Sequence, residues 1–313
     1  MLLGRTANGL YWMSRYIERA ENMARLLDAG LRLALTETTN SAEEWTSLVV
    51  SAGAETAFRK RHSEYTAATV SDFLLRDTCN PSSVVSSIET ARMNGRMVRT
   101  ALTRECWESL NEAWMSLKRL LANPIDEREL PSVLDAIKRD TALFRGAFTG
   151  TMLRNEIYNF ASLGTLVERA DNTARILDVK YYVLLPSVHW VGSSLDNYQW
   201  ESILRSVSAH RSYRWVYEVD YKPTLIADYL ILNPRMPRSL AFCYRGIVED
   251  LRQLSEDYGV HHPSYDIALK VLKGLQVSSI KDVFDYGLHE YLEGFIDDNA
   301  RFSQAVAENY RFI

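Results

Sequence analysis

Apolar residues recur along this chain at three- and four-residue steps, the period of a helix that buries one side. One stripe, over residues 6–35, runs Met13, Tyr16, Ile17, Ala20, Ala24, Leu27 and Leu31. Another runs Leu163, Leu166, Val167, Ala170, Ala174, Leu177 and Tyr181. The strict alternation that marks a half-buried strand is rare, and glycine and proline interrupt the pattern seldom. The pattern predicts an all-α protein.

The two stripes lie in segments that match closely. Ile17 to Asp28 reads IERAENMARLLD and Val167 to Asp178 reads VERADNTARILD, an offset of 150 residues. Further on, Trp45-Thr-Ser-Leu pairs with Trp200-Glu-Ser-Ile, and Ser71-Asp-Phe-Leu-Leu with Ala227-Asp-Tyr-Leu-Ile. Asn80-Pro-Ser-Ser-Val then pairs with Met236-Pro-Arg-Ser-Leu. The expected architecture is a duplicated helical bundle with pseudo-twofold symmetry and two long helices at its centre. Residues 1–122 form the first helical repeat, 123–150 a bridging helix, 151–258 the second helical repeat and 259–313 a C-terminal helical addition. All share one core. Trp45 and Trp200 are expected to open a second helix in each repeat. Pro81 and Pro237 are expected in the first turns of long returning helices, over 81–121 with a bend at Asn94-Gly95 and over 237–258. Asn80 caps the first of these. The bridging helix is expected over 131–148, with Gly146 and Gly150 at the joint, and the last helix over 282–310.

The residues that the two segments share are mostly polar. On a helix, positions 18, 22 and 25 fall in one narrow stripe with 21 and 28 on its flank. Solvent-facing i,i+4 pairs, worth about 0.3–0.5 kcal/mol each, would be free to drift between repeats. Their repetition points to a site. If the two helices meet, Glu18 reaches Arg169 or Arg175, and Glu168 reaches Arg19 or Arg25. Such a stripe can be a desolvated ion-pair network that fixes helix register. It can also be a polar cavity in which Arg19, Asn22, Arg25, Arg169, Asn172 and Arg175 bind a carboxylated or zwitterionic ligand. Glu18 and Glu168 are then the candidate catalytic bases. A third option places Mg or Mn on Glu18, Glu21, Glu168 and Asp171, with Glu21 and Asp171 as the added ligands. The E-x-x-H spacing of di-iron bundles is missing, so no metal is assigned.

Composition narrows the setting. The formal net charge of −4 argues against nucleic acid and anionic membrane as partners. The one basic run, Arg59-Lys60-Arg61-His62, reads as a solvated helix end. Cys79, Cys106 and Cys243 are far apart and fit reduced, mostly packed thiols of a cytoplasmic protein. The opening residues lack the features of a secretory leader, and no apolar run approaches the ~20 residues needed to span a bilayer. Neither G-x-x-x-x-G-K-[ST] nor G-x-G-x-x-G occurs, so no nucleotide or other cofactor is expected on this chain. His189, His210 and His289 are isolated and read as ordinary structure, and His261-His262 as a turn cap. Trp107 and Trp114 share a helical face and read as core.

The opening LGRTANGLYWMSRYIERAENMARLLD, the later NPSSV and the second VERADNTARILD together resemble the bacterial Alpha-E domain family over essentially the whole chain. The resemblance implies an all-helical fold whose signature Glu-Arg falls at Glu18-Arg19 and Glu168-Arg169. Members of that family typically occur beside, or fused to, a circularly permuted ATP-grasp ligase, often with transglutaminase-like or proteasome-like neighbours. The role implied is a helical accessory or substrate-presenting component of an amide-ligating system for peptide synthesis or modification. An ATP-grasp ligase would be its partner and a peptide or amino-acid-like group its substrate. The alternative is an enzyme of amide chemistry, with Glu18 or Glu168 as general base and arginines binding a carboxylate. Met236 and Arg238 stand where the first repeat has Asn80 and Ser82, a departure that argues against a strictly symmetric site.

Overall fold

Two long helices organise the molecule. The computed structural model describes residues 2–34, 41–182, 194–218 and 221–312, and in it α1 spans Gly4–Ala34 and α8 spans Glu156–Tyr182. After α1 come α2 (Ser41–Ser51), α3 (Glu55–Arg59), α4 (Ala67–Leu75), α5 (Val84–Met97), α6 (Arg104–Leu120) and α7 (Leu130–Thr151). After α8 come α9 (Ser194–Ser206), α10 (His210–Tyr217), α11 (Pro223–Ile231), α12 (Leu240–Tyr258), α13 (Pro263–Val277), α14 (Ile280–Tyr286) and α15 (Leu288–Asn309). The described residues contain no strand, and no helix among them is long and apolar enough to cross a membrane.

From Ala20 to Leu31 every residue of α1 is buried, so this helix is enclosed on all sides rather than along one stripe. Neighbours recur in the same order around the two long helices. Besides each other, α1 packs on α5 and α7, and α8 on α12 and α15. The outer layers are α5 on α6 on α7, and α12 on α13 on α15. The short helices cross over: α9 touches α1 and α2 touches α8. In this packing order α7 stands to α1 as α15 stands to α8. The segments read from sequence as a bridge and a C-terminal addition thus occupy corresponding places.

Several local expectations are corrected. The first returning helix is two helices, because the chain turns through residues 98–103 and Thr103 caps α6 by accepting from the Cys106 N–H. Gly95 does not bend the chain. It lies buried within α5, where a Cβ would stand 2.5 Å from Leu110 Cδ2, so its role is close approach of α5 and α6. Pro81 and Pro237 precede their helices. The caps are Ser83 and Ser239, whose hydroxyls accept from the Ser86 and Phe242 N–H groups. Asn80 instead donates to the Phe73 carbonyl and accepts from the Ser82 N–H. Gly146 and Gly150 are inside α7, with the joint at residues 152–155, and Trp45 and Trp200 sit within their helices rather than at the start. Trp107 and Trp114 are half-buried shelves for cations, with the Arg92 guanidinium 4.0 Å from the Trp114 ring centre.

The closest approach of the central pair is backbone on backbone. A Cβ on Gly164 of α8 would lie 2.1 Å from the Tyr11 carbonyl oxygen of α1, which cannot swing aside as a side chain can. Gly164→Ala is therefore expected to destabilise the protein by about 1–3 kcal/mol. Gly146→Ala, with nothing within 4 Å, should be neutral or add about 0.5–1 kcal/mol from helix propensity. Urea unfolding of the two variants checks the contrast, and equal midpoints would refute the close-packing reading.

Candidate functional site

Enclosing α1 buries its polar stripe, and a buried charge needs partners. Glu18 and Glu21, one helical turn apart, are almost fully shielded from water. Arg169 of α8 forks onto Glu18, with Nε donating to Oε1 at 2.9 Å and Nη2 to Oε2 at 3.1 Å. Arg145 of α7 donates from Nη1 to both carboxylates, at 3.2 Å to Glu18 and 2.6 Å to Glu21. Arg238, in the turn before α12, bridges the same two from the other side. Arg25 completes the set, donating to Glu21 at 2.7 and 2.8 Å and to the Ser206 carbonyl at the end of α9 at 2.8 Å.

Glu168 of α8 carries the reciprocal pair. Arg19 forks onto it at 2.6 and 3.0 Å, and Arg15 adds a bond of 2.8 Å. Reciprocity extends to the flank: Arg175 bonds Asp171 in its own helix at 2.7 Å and reaches the Ser51 carbonyl at the end of α2, as Arg25 reaches Ser206. Residue i of one helix meeting residue j of the other, and the converse, is how an isologous contact looks. The match is incomplete. Asn22 donates to the Glu168 carbonyl at 3.2 Å, whereas the Asn172 Nδ2 is buried with no partner.

Of the cross-helix pairings that the sequence left open, the structure forms Glu18 with Arg169 and Glu168 with Arg19. Arg25 and Arg175, two of the ligand candidates, donate to carbonyls at the ends of α9 and α2. The sequence reading missed Arg15, Arg145 and Arg238. Arg238 carried a visible signal, the Arg in place of Ser82. Arg145 lies outside the matched segments and carried none.

These contacts set the chemistry of the acids. Burial alone would raise Glu18, yet Arg169, Arg238 and Arg145 overcome it and hold the carboxylate well below its usual range. Glu168 is likewise held down, against burial, to about 2 by Arg19 and Arg15. An acid so stabilised as its anion is a weak base, and its oxygens are already engaged, so neither glutamate is placed to abstract a proton. Glu21 is engaged by Arg25, Arg145 and Arg238 and by the Thr141 hydroxyl, and so many cations are the reverse of what a divalent metal requires of its surroundings. Among the described residues, no group of three or more His, Cys, Asp or Glu converges on a common point.

The cluster holds three carboxylates, Glu18, Glu21 and Glu168, against six guanidinium groups. Its open side borders a cavity of about 360 Å³ between α1, α7, α8 and α12, with Glu18, Arg145 and Arg169 in its lining. Asp250 of α12 also lines it. Burial pushes that carboxyl up to about 8, and its Oδ2 has no hydrogen-bond partner.

Elsewhere, polar residues are structural. His289 bonds Asp178 at 2.7 Å, His210 bonds Glu201 at 2.9 Å, and His261 bonds Asp266 at 2.8 Å. His262 occupies the N-cap of α13 without a side-chain cap bond. His189 lies outside the described residues. The Cys243 thiol is pushed up to about 12 by burial and is no nucleophile at neutral pH.

With this geometry in place, the comparisons fit. The chain belongs to the Alpha-E family, described as a predicted alpha-helical domain with a conserved ER motif, and the family model matches residues 2–310. Uncharacterized proteins of Mycobacterium bovis and Mycobacterium tuberculosis are each 22% identical over 277 residues, which is 83% of this chain and 31% of theirs. The chain therefore spans less than a third of the length of these curated relatives. No solved structure matches it.

Two outcomes follow for stability. Glu18→Ala strands the buried Arg169, takes from Arg238 one of its two carboxylates and should cost about 3–5 kcal/mol. Glu108→Ala, which removes only the exposed contact to Arg104, should leave the unfolding midpoint unchanged. Chemical unfolding of both variants measures the difference, and a negligible effect of Glu18→Ala would refute the buried network.

The pH dependence has opposite signs at its two ends. Glu18 and Glu168 are depressed, so their stabilisation is present above an ordinary glutamate pKa and is lost as pH falls from about 4.5 towards 2. Asp250 is raised, so its protonated form is retained by the fold, and stability is lost as pH rises from about 4 through 8. Asp250→Asn should therefore be more stable than the parent at pH 8, with the gap closing towards pH 4. Unfolding curves at several pH values read this directly, and a gap that stays constant would show that Asp250 is not raised.

Proposed function

We propose that this chain is a helical accessory component of an ATP-grasp-dependent amide-ligating system in the cytoplasm, presenting a substrate rather than transforming it. The observation that carries the reading is the state of the two signature glutamates. Both are tied by forked arginines and held as stable anions, which suits a rigid scaffold and does not suit a general base. Beside them lies a cavity whose lining includes Arg145, with donors that the glutamates do not use, which suits holding an anionic group.

Amide ligation through an acyl phosphate needs a phosphate cradle and bound Mg²⁺. The sequence carries neither of the familiar nucleotide-binding glycine motifs, so the activation step is assigned to the partner ligase. Support for a multi-component setting comes from the relatives, in which the matched region is accompanied by more than twice its length of other polypeptide.

The test is reconstitution with the neighbouring ATP-grasp ligase, following ATP-dependent amide formation with and without this chain. The chain should raise amide output severalfold without hydrolysing ATP alone. Arg145→Met should reduce the stimulation while leaving the ligase's ATP binding intact. Amide formation or ATP hydrolysis by the purified chain, or no effect on the ligase, would overturn the proposal.

A further inference from the structure

The cavity beside the ion cluster traces to three differences between the long helices. At the offset of 150 residues, Tyr11, Trp12 and Arg15 of α1 correspond to Ala161, Ser162 and Thr165 of α8. On the α1 side these large side chains fill space. Tyr11 is wholly buried, with its hydroxyl 2.8 Å from Ser303 Oγ of α15, and Arg15 reaches both Glu168 and Ser303 while stacking 4.8 Å from the Trp12 ring. On the α8 side, the small Ser162 and Thr165 leave the cavity open and form part of its lining.

One wall is an aromatic ladder. Phe144 and Phe148 stack with centroids 6.2 Å apart, and Phe148 and Tyr158 at 4.7 Å, with Phe242 contributed by α12. Two polar groups of the lining are left without hydrogen-bond partners, Asp250 Oδ2 and Ser14 Oγ, although Asp250 is only 6% exposed and Ser14 only 2%. Such atoms are rarely left orphaned in a folded protein, and a ligand that supplies donors would satisfy them. At the cationic edge, Arg145 uses only Nη1 towards Glu18 and Glu21, which leaves Nε and Nη2 to donate. The groups that bear on Asp250 are the Ser162 hydroxyl, Glu249 and Arg154, while Arg145 is bonded to Glu18 and Glu21 of α1.

We propose that this cavity binds a short apolar peptide by both ends, with the terminal ammonium on Asp250, the terminal carboxylate on Arg145 and an aromatic or aliphatic side chain against the Phe144–Phe148–Tyr158 wall. A ligand with a single positive charge would leave the remaining donors of Arg145 unmet, and a simple anion would leave Asp250 unpaired. A zwitterion with separated charges satisfies both. At about 360 Å³ the space lies at the small end of ligand pockets, fit for two residues rather than a nucleotide or a long chain. The ammonium would convert Asp250 from a buried acid that favours its neutral form into a paired carboxylate, so the empty site is costly to ionise and the filled one is not. This names the substrate class of the proposed accessory role and rests on that reading only for its biological setting.

The test uses the isolated full chain and titration calorimetry with L-alanyl-L-phenylalanine. Saturable binding is expected, weakened at least about tenfold by N-acetylation, by C-terminal amidation or by replacing phenylalanine with alanine. Asp250→Asn should bind the free and N-acetylated peptides alike. Ser162→Trp and Thr165→Arg, which place in α8 the residues that α1 carries, should each abolish binding, and circular dichroism identifies which of them is folded. No saturable binding at millimolar peptide would overturn the proposal. So would end-blocked peptides that bind equally well, or binding retained in a folded cavity-filling variant. Because no ligase is present, failure here leaves the accessory role standing, and a failed reconstitution with intact peptide binding removes the role and not the site.

Discussion

The structure depends on the cost of placing two carboxylates, one turn apart, inside a helix that is enclosed on every side. An unpaired anion in that position would be prohibitive, so each neighbour of α1 arrives carrying compensation. Arg169 comes with α8, Arg145 with α7, Arg238 with the entry to α12, and Arg25 turns outward to hold the end of α9. Four packing partners are thereby registered against Glu18 and Glu21. Apolar contacts alone would tolerate small slides of one helix past another; forked guanidinium contacts at 2.6–3.2 Å do not. The signature Glu-Arg acts as an architectural lock, with Glu168 and Arg19 as its second bolt.

The lock is reciprocal where the two long helices cross-pair and asymmetric around that core. Arg15, Arg145 and Arg238 have no charged counterparts at the aligned positions that are known, Thr165 for Arg15 and Ser82 for Arg238. Arg145 and Arg238 bond Glu18 and Glu21, and Arg145 lines the cavity on the side where α8 carries Ala161 and Ser162. Arg15 lies with Tyr11 and Trp12 on the filled side. The contact between the two long helices thus has a filled side and an open side, and the ion pairs hold the register of the helices beside the cavity.

The structure places the ER motif of this Alpha-E family member at the centre of the fold, with Glu18, Glu168 and Arg169 buried. The motif's glutamates are engaged by arginines, while Asp250 Oδ2 beside the motif has no hydrogen-bond partner. In the longer mycobacterial relatives the matched region is one part of a larger chain.

Helical class, the two long helices and the pairing of Glu18 with Arg169 and Glu168 with Arg19 were legible in the sequence. Period and repetition are local properties, and a polar stripe that recurs 150 residues on can be matched by eye. The capping serines were within reach of the same reading, since Ser83 and Ser239 align, but the neighbouring prolines drew the helix starts two to three residues early. Only the tertiary structure decided that α7 and α15 take corresponding places, because their sequences share no visible signal. It alone brought Arg145 and Asp250 to one cavity, since they sit on helices far apart in the chain and meet only through packing on α1 and α8. It alone decided whether the stripe was exposed, paired or open. Burial depends on how many neighbours enclose a helix, and no pattern along a single helix records that number.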